Sequence, residues 1–290
     1  MDLQSKVREM SRYLEDEAIA QALKLTPEAV RDILEGKAEI RREDSPAQGP
    51  VIHVSSVKTA YRQRVVSVLR AKGGVGATVV AIGLALSLSR EVKTLLADFT
   101  FSEGGSDLSY YLNLPDYPHM GVFAGVLDDC VVGLEPDLFV LQPPRNARGE
   151  RDKVEAVIAR AREDYDAVVM DLPNGDGDVV QRALGLSNAV VAVTGGLGSE
   201  LVRLAAALAG LRQKDVVLVL NRCSLPAEAR EAFRGIRTVR LEHDGSLAGT
   251  LERCGLPGEK SAFMRGMAEV RDALFDRQKK SLLKSLLGGF

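Results

Sequence analysis

Arg64-Val65-Val66-Ser67-Val68-Leu69-Arg70-Ala71-Lys72-Gly73-Gly74-Val75-Gly76-Ala77-Thr78 is the stretch that decides the fold of this chain. Its first half is a β-branched apolar run, the texture of a strand covered on both faces. Its second half is a glycine-rich turn, after which Val79 to Ser89 reads as a helix. Glycines between a strand and a helix let successive main-chain N–H groups close around phosphate oxygens, while the helix N-terminus adds partial positive charge. The hydroxyl of Thr78 stands where a loop of the form G-x-x-x-x-G-K-[ST] places its magnesium ligand. The lysine slot of that pattern holds Ala77, so the ammonium that would reach the β and γ phosphates is missing. The main-chain cradle survives that loss, but transition-state charge stabilisation weakens. The bland alternative is a tight turn and nothing more.

Outward from this loop, five further apolar runs are mostly separated by helix-length segments: Thr94 to Ala97, Phe139 to Leu141, Ala167 to Met170, Ala189 to Val193 and Val216 to Leu220. Continuous apolar strands alternating with helices predict a doubly wound α/β domain with a mostly parallel sheet, spanning 64–276. Before it, 1–44 reads as a helix-turn-helix-like module, with segments Glu15 to Leu25 and Pro27 to Leu34 broken by a Thr26 cap and a first-turn Pro27. The turn-rich stretch 45–63, with Ser45-Pro46-Ala47-Gln48-Gly49-Pro50, reads as a linker. An amphipathic helix is expected over 277–290.

Composition narrows the function classes. The chain has 290 residues, 46% hydrophobic and 27% charged, enough to build a core without metal or disulfide staples. A net charge of −2 does not advertise nucleic acid, and three widely spaced cysteines, Cys130, Cys223 and Cys254, fit a reducing compartment. No signal-peptide pattern and no long apolar stretch occurs, so the expectation is a cytoplasmic protein that does not span a membrane. His53, His119 and His243 are isolated, and no serine sits in a G-x-S-x-G elbow.

Lys72-Gly73-Gly74-Val75-Gly76-Ala77-Thr78 resembles the deviant Walker A motif of the MinD/ParA superfamily of P-loop ATPases, with Lys72 matching the lysine near the start of that loop. The resemblance implies a nucleotide-sandwich homodimer in which Lys72 reaches across to the other subunit's phosphates. It implies ATP or ADP with Mg2+ as ligands, a nucleotide contact surface from Lys72 through Thr78 and Val79, and an adenine contact from Asn221 beside Arg222. It extends to Leu95-Leu96-Ala97-Asp98-Phe99-Thr100, where the family carries an Asp-x-Asp pair. Asp98 matches the first, magnesium-region aspartate, whereas Thr100 replaces the second, which orients the attacking water. A threonine cannot act as a carboxylate base near neutral pH. Asp166 to Pro173 resembles the Walker B strand, with Asp171 facing magnesium through water; a plain helix cap is the alternative reading of Asp171. Lys72 and Asp171 are thus the candidate catalytic residues, and Thr78, Asp98 and Asp171 the candidate magnesium set. If each absent charged group ordinarily lowers the barrier by about 3 kcal/mol, losing both slows hydrolysis by about 10⁴-fold.

The small residue at 77, Asp137 to Pro144 and Tyr165 to Pro173 resemble the CpaE/TadZ branch, assembly factors of Flp (tight-adherence) pili. That implies a localisation or assembly scaffold with a pilus, polar or division-machinery partner. The branch usually begins with a receiver-like domain, where this chain has the small helical module. An active ATPase switch for partitioning or cell-division positioning is the first rival reading, and a DNA-binding regulator the second. Electrostatics opposes the latter: residues 1–50 carry eight basic against eleven acidic residues, and the would-be recognition helix carries Glu28, Asp32 and Glu35 against Arg31. Protein docking or a purely structural role suits that module better. At the C-terminus, Leu282, Leu283, Leu286, Leu287 and Phe290 form one stripe beside Lys279, Lys280 and Lys284. A basic amphipathic helix suits an anionic membrane surface and resembles the C-terminal targeting helix of MinD proteins; packing on the body or in a dimer seam is the alternative.

Overall fold

A computed structural model describes residues 7–8, 10–11, 14–23, 25–35, 63–101, 105–145, 150–211 and 214–287, with backbone alone at 21, 150–151 and 275–287. The chain divides into two units, 1–60 and 61–290.

In the first unit, helices α1 (Asp16–Leu23) and α2 (Pro27–Leu34) are joined by the break expected at Leu25 and Thr26. The Thr26 hydroxyl accepts from the Ala29 amide at 3.2 Å, and Pro27 opens the helix at a position where its missing N–H costs nothing. Ile19, Ala20, Val30 and Ile33 form a small core with Val7 and Met10. The linker expected over 45–63 lies outside the described residues apart from Gln63.

The second unit is an eight-stranded sheet in the order β3-β4-β2-β5-β1-β6-β7-β8. Its strands are β1 (Arg64–Arg70), β2 (Thr94–Asp98), β3 (Val132–Glu135), β4 (Leu138–Leu141), β5 (Ala167–Asp171), β6 (Ala189–Thr194), β7 (Asp215–Asn221) and β8 (Arg237–Leu241). All pairs are parallel except β3 with β4. The helices are α3 (Ala77–Leu88), α4 (Asp107–Tyr111), α5 (Val154–Asp164), α6 (Asp178–Leu186), α7 (Gly198–Ala209), α8 (Leu247–Glu252) and α9 (Ala262–Leu287). The six expected strands are all present; β3 and β8 are additional.

Two cores form because alternate residues of each strand face opposite sides. Val66 and Val68 of β1 join α3 and the first turns of α9 in one core, while Val65 and Leu69 join α5, α6 and α7 in the other. Helix α3 is apolar on every side and almost wholly buried, as a helix wedged between a sheet and another helix must be. A Cβ on Gly83 would lie 2.5 Å from the Phe263 ring and 2.7 Å from Met267 Cγ, so the missing side chain is what lets α9 pack onto α3. At the base of the sheet the buried Arg64 guanidinium donates to Asp215 Oδ2 and to the Leu274 carbonyl, each at 2.9 Å, tying β1 to β7 and α9.

Backbone helix runs unbroken from Ala262 to Leu287, so the amphipathic segment continues α9. The side chains of Lys279, Lys280, Leu282, Leu283, Lys284, Leu286 and Leu287, and all of Phe290, lie outside the described residues. Among the described residues no helix is long and apolar enough to cross a membrane.

Candidate functional site

Strand order reverses at β1: β5, β2, β4 and β3 lie on one side and β6, β7 and β8 on the other. The crevice at the carboxyl ends of strands beside such a switch point is where open α/β sheets bind ligands. The glycine-rich loop stands there. Gly74 and Gly76 have φ of +78° and +86°, which an L side chain adopts only under strain. Gly76 precedes α3 without any side-chain cap, leaving the first-turn N–H groups for a ligand. A Cβ at Gly73 or Gly74 would meet nothing within 4 Å, so the loop's outer side is open. A Cβ at Gly76 would lie 2.5 Å from Asn221 Nδ2. That amide donates to the Val75 carbonyl at 2.8 Å, so Asn221 braces the loop from the end of β7.

Toward β6 and β7 the loop borders a cleft of about 440 Å³, within the range of small-ligand sites. Lys72 is exposed at its edge, and Val75, Leu197, Asn221 and Arg222 line it. Arg222 has φ +56°, a left-handed conformation unusual for a residue with a side chain. Glu200, from the first turn of α7, is fully buried beneath this cleft; its Oε1 accepts from the Gly195 amide at 3.0 Å, and Oε2 has no hydrogen-bond partner. Val79 is half-buried on α3, and the Ala77 methyl is buried in the core.

Toward β5 the arrangement contains a residue that the sequence reading passed over. The Thr78 hydroxyl donates to Asp171 Oδ2 at 2.7 Å and accepts from Arg70 Nη1 at 3.1 Å. Arg70 Nη2 donates to the Leu172 carbonyl at 2.7 Å and lies 3.4 Å from Asp171 Oδ1, which otherwise lacks a hydrogen bond. The Arg70 side chain is 13% exposed and that of Asp171 0%. Burial raises the Asp171 carboxyl to about 7, opposed first by the Arg70 charge and reinforced by Asp98. Asp98 is likewise buried and pushed upward by desolvation, against hydroxyls of Ser106 and Thr100. Thr100 gives Asp98 Oδ1 both its amide, at 2.8 Å, and its hydroxyl, at 2.7 Å. The hydroxyl in the water-orienting slot is therefore committed to Asp98.

The structure thus brings Thr78, Asp98, Thr100 and Asp171 together beside one edge of the loop, and Lys72, Asn221 and Arg222 along the other. The hydroxyl and two carboxylates are oxygen donors of the kind magnesium takes. Among the described residues, however, no group of three or more His, Cys, Asp or Glu could hold a metal. The Arg70 guanidinium already stands on Thr78 Oγ1 and Asp171, so as arranged the ion and the guanidinium claim the same oxygens. Arg70 shares with Val66 and Val68 the strand face that α3 covers, which is what brings it against Thr78.

No protein-family profile matches the chain, and no curated protein does. Solved structures do. The septum site-determining protein MinD of Pyrococcus horikoshii OT3, complexed with Mg-ADP, superposes with a TM-score of 0.64 at 20% identity, covering 76% of this chain and 98% of that one. A ParA family ATPase of Chlorobium tepidum TLS gives 0.61 at 21% identity, covering 74% and 99%. MinD in the MinC:MinD complex of Aquifex aeolicus gives 0.57 at 18%, covering 71% and 95%. At these identities the likeness establishes the fold: the second unit has the MinD/ParA P-loop architecture.

Proposed function

We propose that this protein binds an adenine nucleotide in the manner of MinD/ParA ATPases, closes with a second copy over two nucleotides, and serves as a positional scaffold. The machinery we assign to it is that of Flp pilus assembly, with the protein cytoplasmic and peripheral at the inner face of the membrane. One observation carries the nucleotide reading: an uncapped helix N-terminus behind left-handed glycines, with open space above Gly73 and Gly74, at the sheet's switch point. The Mg-ADP complex of the Pyrococcus horikoshii relative supports it. Lys72, exposed at the cleft edge, is free to reach a facing subunit.

Hydrolysis is slow in this reading. Ala77 offers no ammonium, and the Thr100 hydroxyl is spent on Asp98 in a slot where a water-orienting carboxylate would serve. Gel filtration with ATP, ADP and a non-hydrolysable analogue, beside a phosphate-release assay, tests the proposal. A dimer with ATP or the analogue, a monomer with ADP, and phosphate release near background are expected. A monomer under every condition contradicts the sandwich, and brisk release abolished by Asp171→Ala would instead mark an active switch.

A further inference from the structure

We infer that Arg70 takes the place of the divalent cation, so that nucleotide binding at this loop does not require Mg2+. The inference rests on the nucleotide-binding reading above and specifies how that site neutralises phosphate charge. Arg70 is the last residue of β1, two positions before Lys72, on the face covered by α3. Its guanidinium is fixed at three points: Thr78 Oγ1 at 3.1 Å, the Leu172 carbonyl at 2.7 Å and Asp171 Oδ1 at 3.4 Å. Thr78 and Asp171 are the two residues that a metal-dependent loop of this form would turn toward its ion.

A magnesium ion needs near-octahedral oxygen ligands at about 2.0–2.1 Å and keeps several waters, which requires room around Thr78 and Asp171. That room is filled by a group of the same sign. Expelling Arg70 would break its bond to Leu172 and strand a planar cation that stays charged at every accessible pH. Retaining it leaves the loop with a cation already in position. Two of the five guanidinium N–H donors are used by Thr78 and Leu172, and a planar fork suits bidentate contact with phosphate. Its single charge also substitutes only partly for a divalent ion, in keeping with binding that outlasts slow turnover.

The experiment is a calorimetric titration of the full chain with ATP, once with Mg2+ and once with EDTA, for the native protein and for Arg70→Ser. The native dissociation constant should differ by less than about threefold between buffers, whereas Arg70→Ser should bind at least about tenfold more weakly in EDTA than in Mg2+. A second readout needs no nucleotide: Mg2+ should raise the melting temperature of Arg70→Ser and leave the native value unchanged. If Arg70→Ser does not fold, Arg70→Gln, which keeps a hydrogen-bonding side chain but carries no charge, replaces it with the same expected appearance of Mg2+ dependence. Native binding that is lost in EDTA overturns this inference alone, as does a variant that stays insensitive to Mg2+. Absence of binding in both buffers overturns the nucleotide reading and this inference with it.

Discussion

Asn221 reaches from the end of β7 to the Val75 carbonyl, and Gly76 leaves it the space to do so. Removing that amide unties the loop without touching the core. Asn221→Ala should weaken nucleotide binding by about tenfold, the equivalent of one lost hydrogen bond of about 1.4 kcal/mol. A calorimetric affinity equal to that of the native protein would show that the loop holds its shape unaided. The sequence displays Lys72, Thr78, Asp98 and Asp171 because each sits at a fixed offset from glycines or at the end of an apolar run. Arg70 and Glu200 stay hidden for a physical reason. A charged residue at a strand end or in a first helical turn ordinarily faces solvent, and only the third dimension buries these two against Thr78 and Gly195. Spacing likewise does not reveal that the Thr100 hydroxyl turns to Asp98.

At the level of elements, the seam between α3 and α9 depends on Gly83. A methyl there would strike the Phe263 ring and the middle of Met267, neither of which is a free side-chain end. Overpacking of this kind costs about 1–3 kcal/mol, while alanine returns about 1 kcal/mol of helix propensity. Gly83→Ala should therefore destabilise by about 1 kcal/mol in denaturant unfolding, and an equally stable variant would mean that the seam is looser than drawn. The start of α9 is tied by Asp244, whose carboxylate accepts from the Ser246 hydroxyl at 2.7 Å and the Phe263 amide at 3.3 Å. The Ser246 hydroxyl, more than any other group, holds this carboxyl below its ordinary value. A depressed folded-state pKa gives stability that is present above the unfolded value, near 3.8, and lost as pH falls through the folded one. The melting-temperature gap between native protein and Asp244→Asn should hold at neutral pH and close below about pH 4; a gap indifferent to pH would remove the carboxylate from the account. Six strands could be read from unbroken apolar runs. β8, Arg-Thr-Val-Arg-Leu, escapes because it is an edge strand with one wet face and alternates, and β3 because it is four residues long and holds a glycine.

For the whole molecule, one described surface bears on the proposed assembly: the cleft edge carrying Lys72. If Lys72 completes a facing site, Lys72→Ala should leave the chain monomeric by gel filtration with ATP while one copy still binds nucleotide. Dimers of that variant would assign the contact elsewhere. The doubly wound class is open to sequence reading because it follows from strand and helix alternation, whereas the two added strands, β3 and β8, are not. The helical module before it supplies α1, α2 and a small core that also takes in Val7 and Met10. The charge balance of residues 1–50, eight basic against eleven acidic, disfavours phosphate backbones.

All of these readings presuppose that main-chain amides from Lys72 to Thr78 grip phosphate though no lysine follows Gly76. Titrating the full chain with ATP in a calorimeter addresses this most directly. Saturable binding of about one nucleotide per chain is predicted, as expected of a cradle built from one loop. Heat no greater than dilution, with ATP and ADP alike, would contradict it and leave a P-loop fold that no longer holds its ligand.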